Sequence, residues 1–139
     1  MSDPYGPPPG HQPPADPGGV SQDDKTWALA AHIGSLVTAW FAFGFIAPLL
    51  VMLVKNDSPF VRRHAVESLN FQISMLIYSI VGGVIAFLVV ILTLGLGALI
   101  VIPLIAIVLL VVLVLVIIAT MKAANGEDYR YPLTMRLID

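Results

Sequence analysis

Arg63, Glu67, Asn70 and Ser74 follow one another at intervals of four, three and four residues, so a helix would carry them on one face. His64 stands next to Arg63 and three residues before Glu67. Two chemistries suit this polar set. In the simpler one, Arg63 pairs with Glu67 at the surface while Asn70 and Ser74 hydrogen-bond a neighbouring helix, for about 1 kcal/mol each. In the sharper one, the stripe lines a cytoplasm-facing pocket that accepts a ligand or a peptide. A metal site would have to combine His32, His64 and Glu67, since only His64 and Glu67 have the spacing of a bundle site. A membrane crossing is expected to separate His32 from His64, so both histidines are read as making ordinary hydrogen bonds, with no metal and no cofactor.

Other chemistries find no residues. There is no HExxH, no Ser/His/Asp set at plausible depth, no phosphate-binding glycine loop and no intramembrane pair of carboxylates. Ion coupling normally needs ionisable groups at mid-membrane, and the apolar region offers none. The chain is therefore not read as an enzyme. It has no cysteine, which removes disulfides and thiolate ligands, and a net charge of −2 without a basic patch argues against nucleic acid.

The elements that must position these residues are set by one absence. Between Glu67 and Lys122 there is no Asp, Glu, Lys, Arg or His, a run of about 54 residues. As continuous helix it would extend roughly 80 Å, more than twice a ~30 Å hydrocarbon core, and its only credible break is Thr93-Leu94-Gly95-Leu96-Gly97. A soluble domain would interleave charges to cover its surface. Hydrophobic residues make up 58% of the chain and charged ones 12%, which agrees with an all-α integral membrane protein whose partner is the lipid bilayer.

Residues 1–24 form a Pro/Gly-rich tail that cannot offset its ordering entropy and is expected to be disordered. Residues 25–139 form the helical membrane domain, with helices over about 25–54, 59–92 and 98–124 and an interfacial segment over 125–139. The first helix has two readings. One is a single crossing kinked at Pro48; the other is two half-helices broken near Phe43-Gly44 and re-entrant. A full crossing, bent or broken near Gly44, is preferred, giving a small bundle of three transmembrane helices. Ser58 and Pro59 suit an N-cap and first turn, and Gly95 with Gly97 suits a tight hairpin between the last two helices. Trp27, Tyr129, Arg130 and Tyr131 read as interfacial anchors, the alternative for the last three being an extended segment that packs under the bundle against the first loop; Gly82, Gly83 and Ala86 read as a patch for close helix approach, within the bundle or in a homo-oligomer. Lys55, Arg62, Arg63, Lys122, Arg130 and Arg136 fall on one side. The positive-inside rule then puts the first loop and the C-terminus of a multi-pass cell-membrane protein in the cytoplasm.

The segments Trp27–His32, Ser58–Gln72 and Gly126–Leu133 resemble an uncharacterised bacterial membrane family of unknown function (DUF4870). That family is distantly similar to the twenty-kilodalton subunit of the chloroplast inner-envelope import translocon (Tic20-like). The resemblance covers roughly residues 25–138 and implies four helices, one more than the crossings counted above. The function expected is that of a small non-enzymatic membrane protein acting through association with itself or other membrane proteins. The alternative, implied by the chloroplast relative, is a pore-forming or accessory subunit of a translocation or transport complex.

Overall fold

A computed structural model of the chain describes residues 19–39 and 44–139. The expected disorder of the tail over residues 1–18, and the Trp40-Phe41-Ala42-Phe43 part of the expected break, lie outside the described residues. Among the described residues there are four helices and no strand: α1 (Gln22–Ala39), α2 (Ile46–Val54), α3 (Pro59–Leu92) and α4 (Ala98–Ala124).

Local chemistry explains the helix ends. Ser21 Oγ accepts the Asp24 N–H at 3.0 Å, and Asp23 and Asp24 sit at the positive end of the α1 dipole. Residues 22–24 are thereby helical, and the tail ends sooner than residue 24. Ser58 is extended, its hydroxyl accepts the Val61 N–H, and Pro59 fills the first turn of α3, where an N–H would go unused. Between α3 and α4 the chain reverses over residues 93–97. Gly95 adopts a φ of 93°, which costs a glycine little, and Thr93 Oγ1 accepts the Gly97 N–H at 2.7 Å.

The first apolar region forms two helices that fold back on each other, so the preferred full crossing is corrected. The Lys55 ammonium lies 2.8 Å from the Asp23 carboxylate, which joins the end of α2 to the start of α1. The two helices meet closely at Gly34, where a Cβ would lie 2.9 Å from Ala47 Cβ. Pro48 causes no kink because it falls in the first turn of α2, whose N–H groups have no helical partner anyway. Gly126 lies against Lys25, so the ends of α2 and α4 and the starts of α1 and α3 gather at one end, called the near end below.

The expected turn between the last two helices is present over residues 93–97, but the close packing expected of them is corrected. α3 and α4 touch each other little, whereas α1 packs on both. Ala28, Ala31 and Ser35 on α1 are fully buried, and their small side chains let α1 lie between the near halves of the long helices. One core cluster joins Ala31, Val51, Val61 and Ala65; a second joins Phe71, Val116, Ala119 and Tyr131.

Two helices, not three, are long and apolar enough to cross a membrane among the described residues: α3 with 34 residues and α4 with 27. At 1.5 Å per residue they measure about 51 and about 40 Å, so each exceeds a ~30 Å core. Their far halves are mostly exposed up to the turn, as befits a lipid-facing surface and not a water-facing one.

Candidate functional site

The near end holds a buried polar network. His32 from α1 and His64 from α3 share a hydrogen bond of 2.8 Å between His32 Nε2 and His64 Nδ1. His32 Nδ1 lies 3.0 Å from the Tyr131 hydroxyl, and His64 Nε2 lies 3.1 Å from the Glu127 carbonyl oxygen. With neutral imidazoles the direction follows by elimination. A carbonyl can only accept, so His64 Nε2 carries the proton and His64 Nδ1 accepts. His32 Nε2 must then donate, which leaves His32 Nδ1 to accept from the Tyr131 O–H. The chain of donors runs Tyr131, His32, His64, Glu127. It ends on a carbonyl that can pass nothing on, so it holds segments together and relays no proton.

Burial keeps this network neutral. His32 is fully buried, and burial first, with His64 second, lowers its pKa from 6.5 to about 3. Burial also pushes the Tyr131 hydroxyl above its ordinary value, with Tyr129 and Glu67 adding to the effect. Tyr131 is only 3% exposed, and its ring stacks on Phe71 with centroids 3.9 Å apart.

The residues after α4 form a strap along the polar face of α3. Glu67 accepts the Tyr131 N–H at 2.7 Å. Asn70 Nδ2 donates to the Ile138 carbonyl at 2.7 Å, and Asn70 Oδ1 accepts the N–H groups of Leu137 and Ile138 at 2.9 Å. Ser74 Oγ accepts the Met135 N–H at 2.8 Å and donates to the Asn70 carbonyl. Tyr78 donates to the Leu133 carbonyl, where the strap reverses with Leu133 at a φ of 57°. The reversed limb runs back down α3 until Arg62 reaches the Asp139 carbonyl at 2.6 Å. Non-helical backbone at a membrane edge is tolerated only when protein satisfies its polar groups, and α3 does this from one face.

The expected roles change accordingly. Arg63 pairs with Asp128 at 3.0 Å and not with Glu67, because Glu67 turns inward to the strap. Asn70 and Ser74 bond strap backbone and not a neighbouring helix. Tyr131 is a core residue and not a headgroup anchor; Tyr129, half-buried, packs edge-on against it, and Arg130 is exposed. Trp27 packs partly buried against the α1–α2–α3 core. A Cβ at Gly82 or Gly83 would meet nothing within 4 Å, so these two glycines serve no close approach inside the chain; Ala86 is half-buried. The crossing expected to separate His32 from His64 is absent, since α1 turns back. Among the described residues no three His, Asp or Glu side chains converge as metal ligands. A cavity of about 220 Å³ does open beside the stripe, lined by Arg62, Arg63, Glu67, Asn70, Arg130 and Arg136 among others.

Residues 23–138 match the model of the magnetosome magnetite crystal formation protein family (MamF/MmsF). That span takes in the four helices except Gln22 and the strap except Asp139. The chain belongs to this family. Its resemblance to a family of unknown function and to the chloroplast translocon subunit is thereby corrected, and the translocation alternative that rested on it loses its ground. The segments that carried the resemblance build the cap of α3, the histidine network and the start of the strap. Such residues report architecture, and architecture does not fix activity. No curated protein and no solved structure matches the chain. The magnetosome family takes part in magnetite crystal formation, and two helices here suit a membrane location.

Proposed function

We propose that the chain serves magnetite crystal formation as a non-enzymatic protein of the magnetosome membrane, acting through association with itself or with neighbouring membrane proteins. The observation that carries this reading is the family match across residues 23–138, which includes the whole near-end network. The near end faces the cytoplasm and the turn at residues 93–97 faces the lumen. All seven Lys and Arg residues support that orientation, since Lys25, Lys55, Arg62, Arg63, Lys122, Arg130 and Arg136 belong to near-end segments and the far turn has none.

Crystal size and number in a magnetosome-forming host lacking this chain test the reading. The full chain should restore both, and a chain ending at Glu127, which still inserts but lacks the strap, should not. Normal crystals without the chain would refute a role in their formation. Normal crystals with the shortened chain would show that the near end is not the working surface. Cysteines placed at Leu96 and Leu137, in a chain that has none of its own, should be labelled from opposite sides of the membrane.

A further inference from the structure

The cross-section of the molecule changes along its length. At the near end, α1, α2, the strap and the near halves of α3 and α4 share one packed section. Met75 and Val112 are the last residues of the long helices packed on the Phe71 cluster. Beyond Tyr78 and Ser79, among the described residues, only α3 and α4 continue, with Val84 and Ile85 on one and Ile105 and Val108 on the other exposed. α1 holds the two long helices apart at the near end, and five residues join them at the far end. The shape is a wedge with its edge at the far turn.

One side of the broad end is apolar. α2 reads IAPLLVMLV without one polar side chain, and Leu50, Leu53 and Val54 on it are exposed. Ile33 and Val37 on α1 are exposed as well. These exposed residues form an apolar rim on α1 and α2. The nine residues of α2 measure about 13.5 Å, roughly half of a ~30 Å core. Lys55, paired with Asp23, closes α2 at the near end, so the rim belongs to the near part of the molecule and stops well short of the far turn.

We propose that the chain is a one-leaflet wedge, whose α1–α2 rim takes up lipid area in the near leaflet alone and which therefore gathers in, and stabilises, membrane convex toward the near side. The partner is the lipid of the near leaflet. Helices seated in one leaflet expand it relative to the other, and bending that enlarges the same leaflet relieves the mismatch; binding of this kind is curvature-sensitive. The inference stands apart from any role in crystal growth.

The test uses the full chain with a dye on a cysteine at Leu137, an exposed near-end position, in giant vesicles of phosphatidylcholine and phosphatidylglycerol. A narrow tube is pulled outward, and dye density in the tube is compared with that in the vesicle body, each relative to a lipid dye. An impermeant quencher separates the two orientations. Molecules with the near end outward should be enriched in the tube, and molecules with the near end inward depleted. Equal densities for both orientations overturn the proposal. A Leu50→Gln, Leu53→Gln chain withdraws the rim from lipid at exposed positions and should lose most of the contrast; undiminished sorting by a folded variant would show that the rim is not its source. If that variant fails to fold, the orientation contrast of the unaltered rim still decides.

Discussion

Replacing Asn70 with alanine should release the strap while leaving the four helices in place. Asn70 makes three hydrogen bonds to strap backbone, at 2.7, 2.9 and 2.9 Å, more than any other residue of the α3 face. At a net worth of about 1 kcal/mol each they sum to about 3 kcal/mol, before any cost of leaving partly buried N–H groups without acceptors. Since 1.4 kcal/mol is tenfold in an equilibrium, strap opening should rise on the order of a hundredfold. Hydrogen–deuterium exchange of residues 131–139 in detergent or nanodiscs reads this directly, because exchange of a locally opening segment follows its opening free energy. Ser74→Ala removes the single bond to the Met135 N–H and should raise exchange only about fivefold, by the same arithmetic for ~1 kcal/mol. Exchange within α1 and the near half of α3 should stay slow in both variants. Unchanged strap exchange in Asn70→Ala, or equal changes in the two variants, would refute the assignment of Asn70 as the main fastening.

Tyr131→Phe keeps the stack on Phe71 but leaves His32 Nδ1 without its donor, so it should cost about 1–3 kcal/mol in thermal or denaturant unfolding. His32 has a folded pKa of about 3 against 6.5 unfolded, so between these values the unfolded chain binds the extra proton. Its effect on stability is therefore absent above pH 6.5 and destabilising below, at about 1.4 kcal/mol per pH unit, or about 2 kcal/mol by pH 5. Comparing unfolding at pH 7.5 and pH 5 for the parent chain and for His32→Gln should show this pH-dependent part vanish in the variant. Arg63→Leu breaks an exposed pair with Asp128 and should cost under about 1 kcal/mol; a larger loss would place Arg63 in a contact other than this pair. Gly82→Ala and Gly83→Ala add a methyl to open space on a helix and should stabilise the monomer by up to about 1 kcal/mol each; loss of a crosslinked oligomer in these variants would show that the patch is used between copies.

How much of this was legible in the residues depends on the range of the forces involved. The charge-free stretch announces two long apolar helices, because every backbone polar group in lipid must be satisfied within its own segment. Ser58 with Pro59 marks the start of α3 for the same local reason. The fold-back of α1 and α2 is different. A kinked span and a pair of half-helices share one apolar pattern, and the choice between them rests on Gly34 against Ala47 and Lys55 against Asp23, contacts between residues far apart in sequence. The 4-3-4 stripe correctly groups side chains on one face, yet hydrogen-bonding capacity does not name its partner. Asn70 and Ser74 found strap backbone, which carries no sequence signal of its own. Tyr131 looked like an anchor because an aromatic beside an arginine at a helix end usually is one. Its burial depends on Phe71 lying opposite, and Tyr78, which fastens the strap at Leu133, falls outside the grouped residues altogether.

The strap also imposes an order in time. α3 is synthesised and leaves the ribosome while Glu67, Asn70, Ser74 and Tyr78 still lack the backbone groups they will hold, since residues 131–138 follow only after α4 is complete. Until then this face must be served by water at the membrane surface or by another protein. Closure of the near end thus comes after all four helices are made, and a chain arrested just beyond α4 would insert its helices yet remain an unfinished molecule.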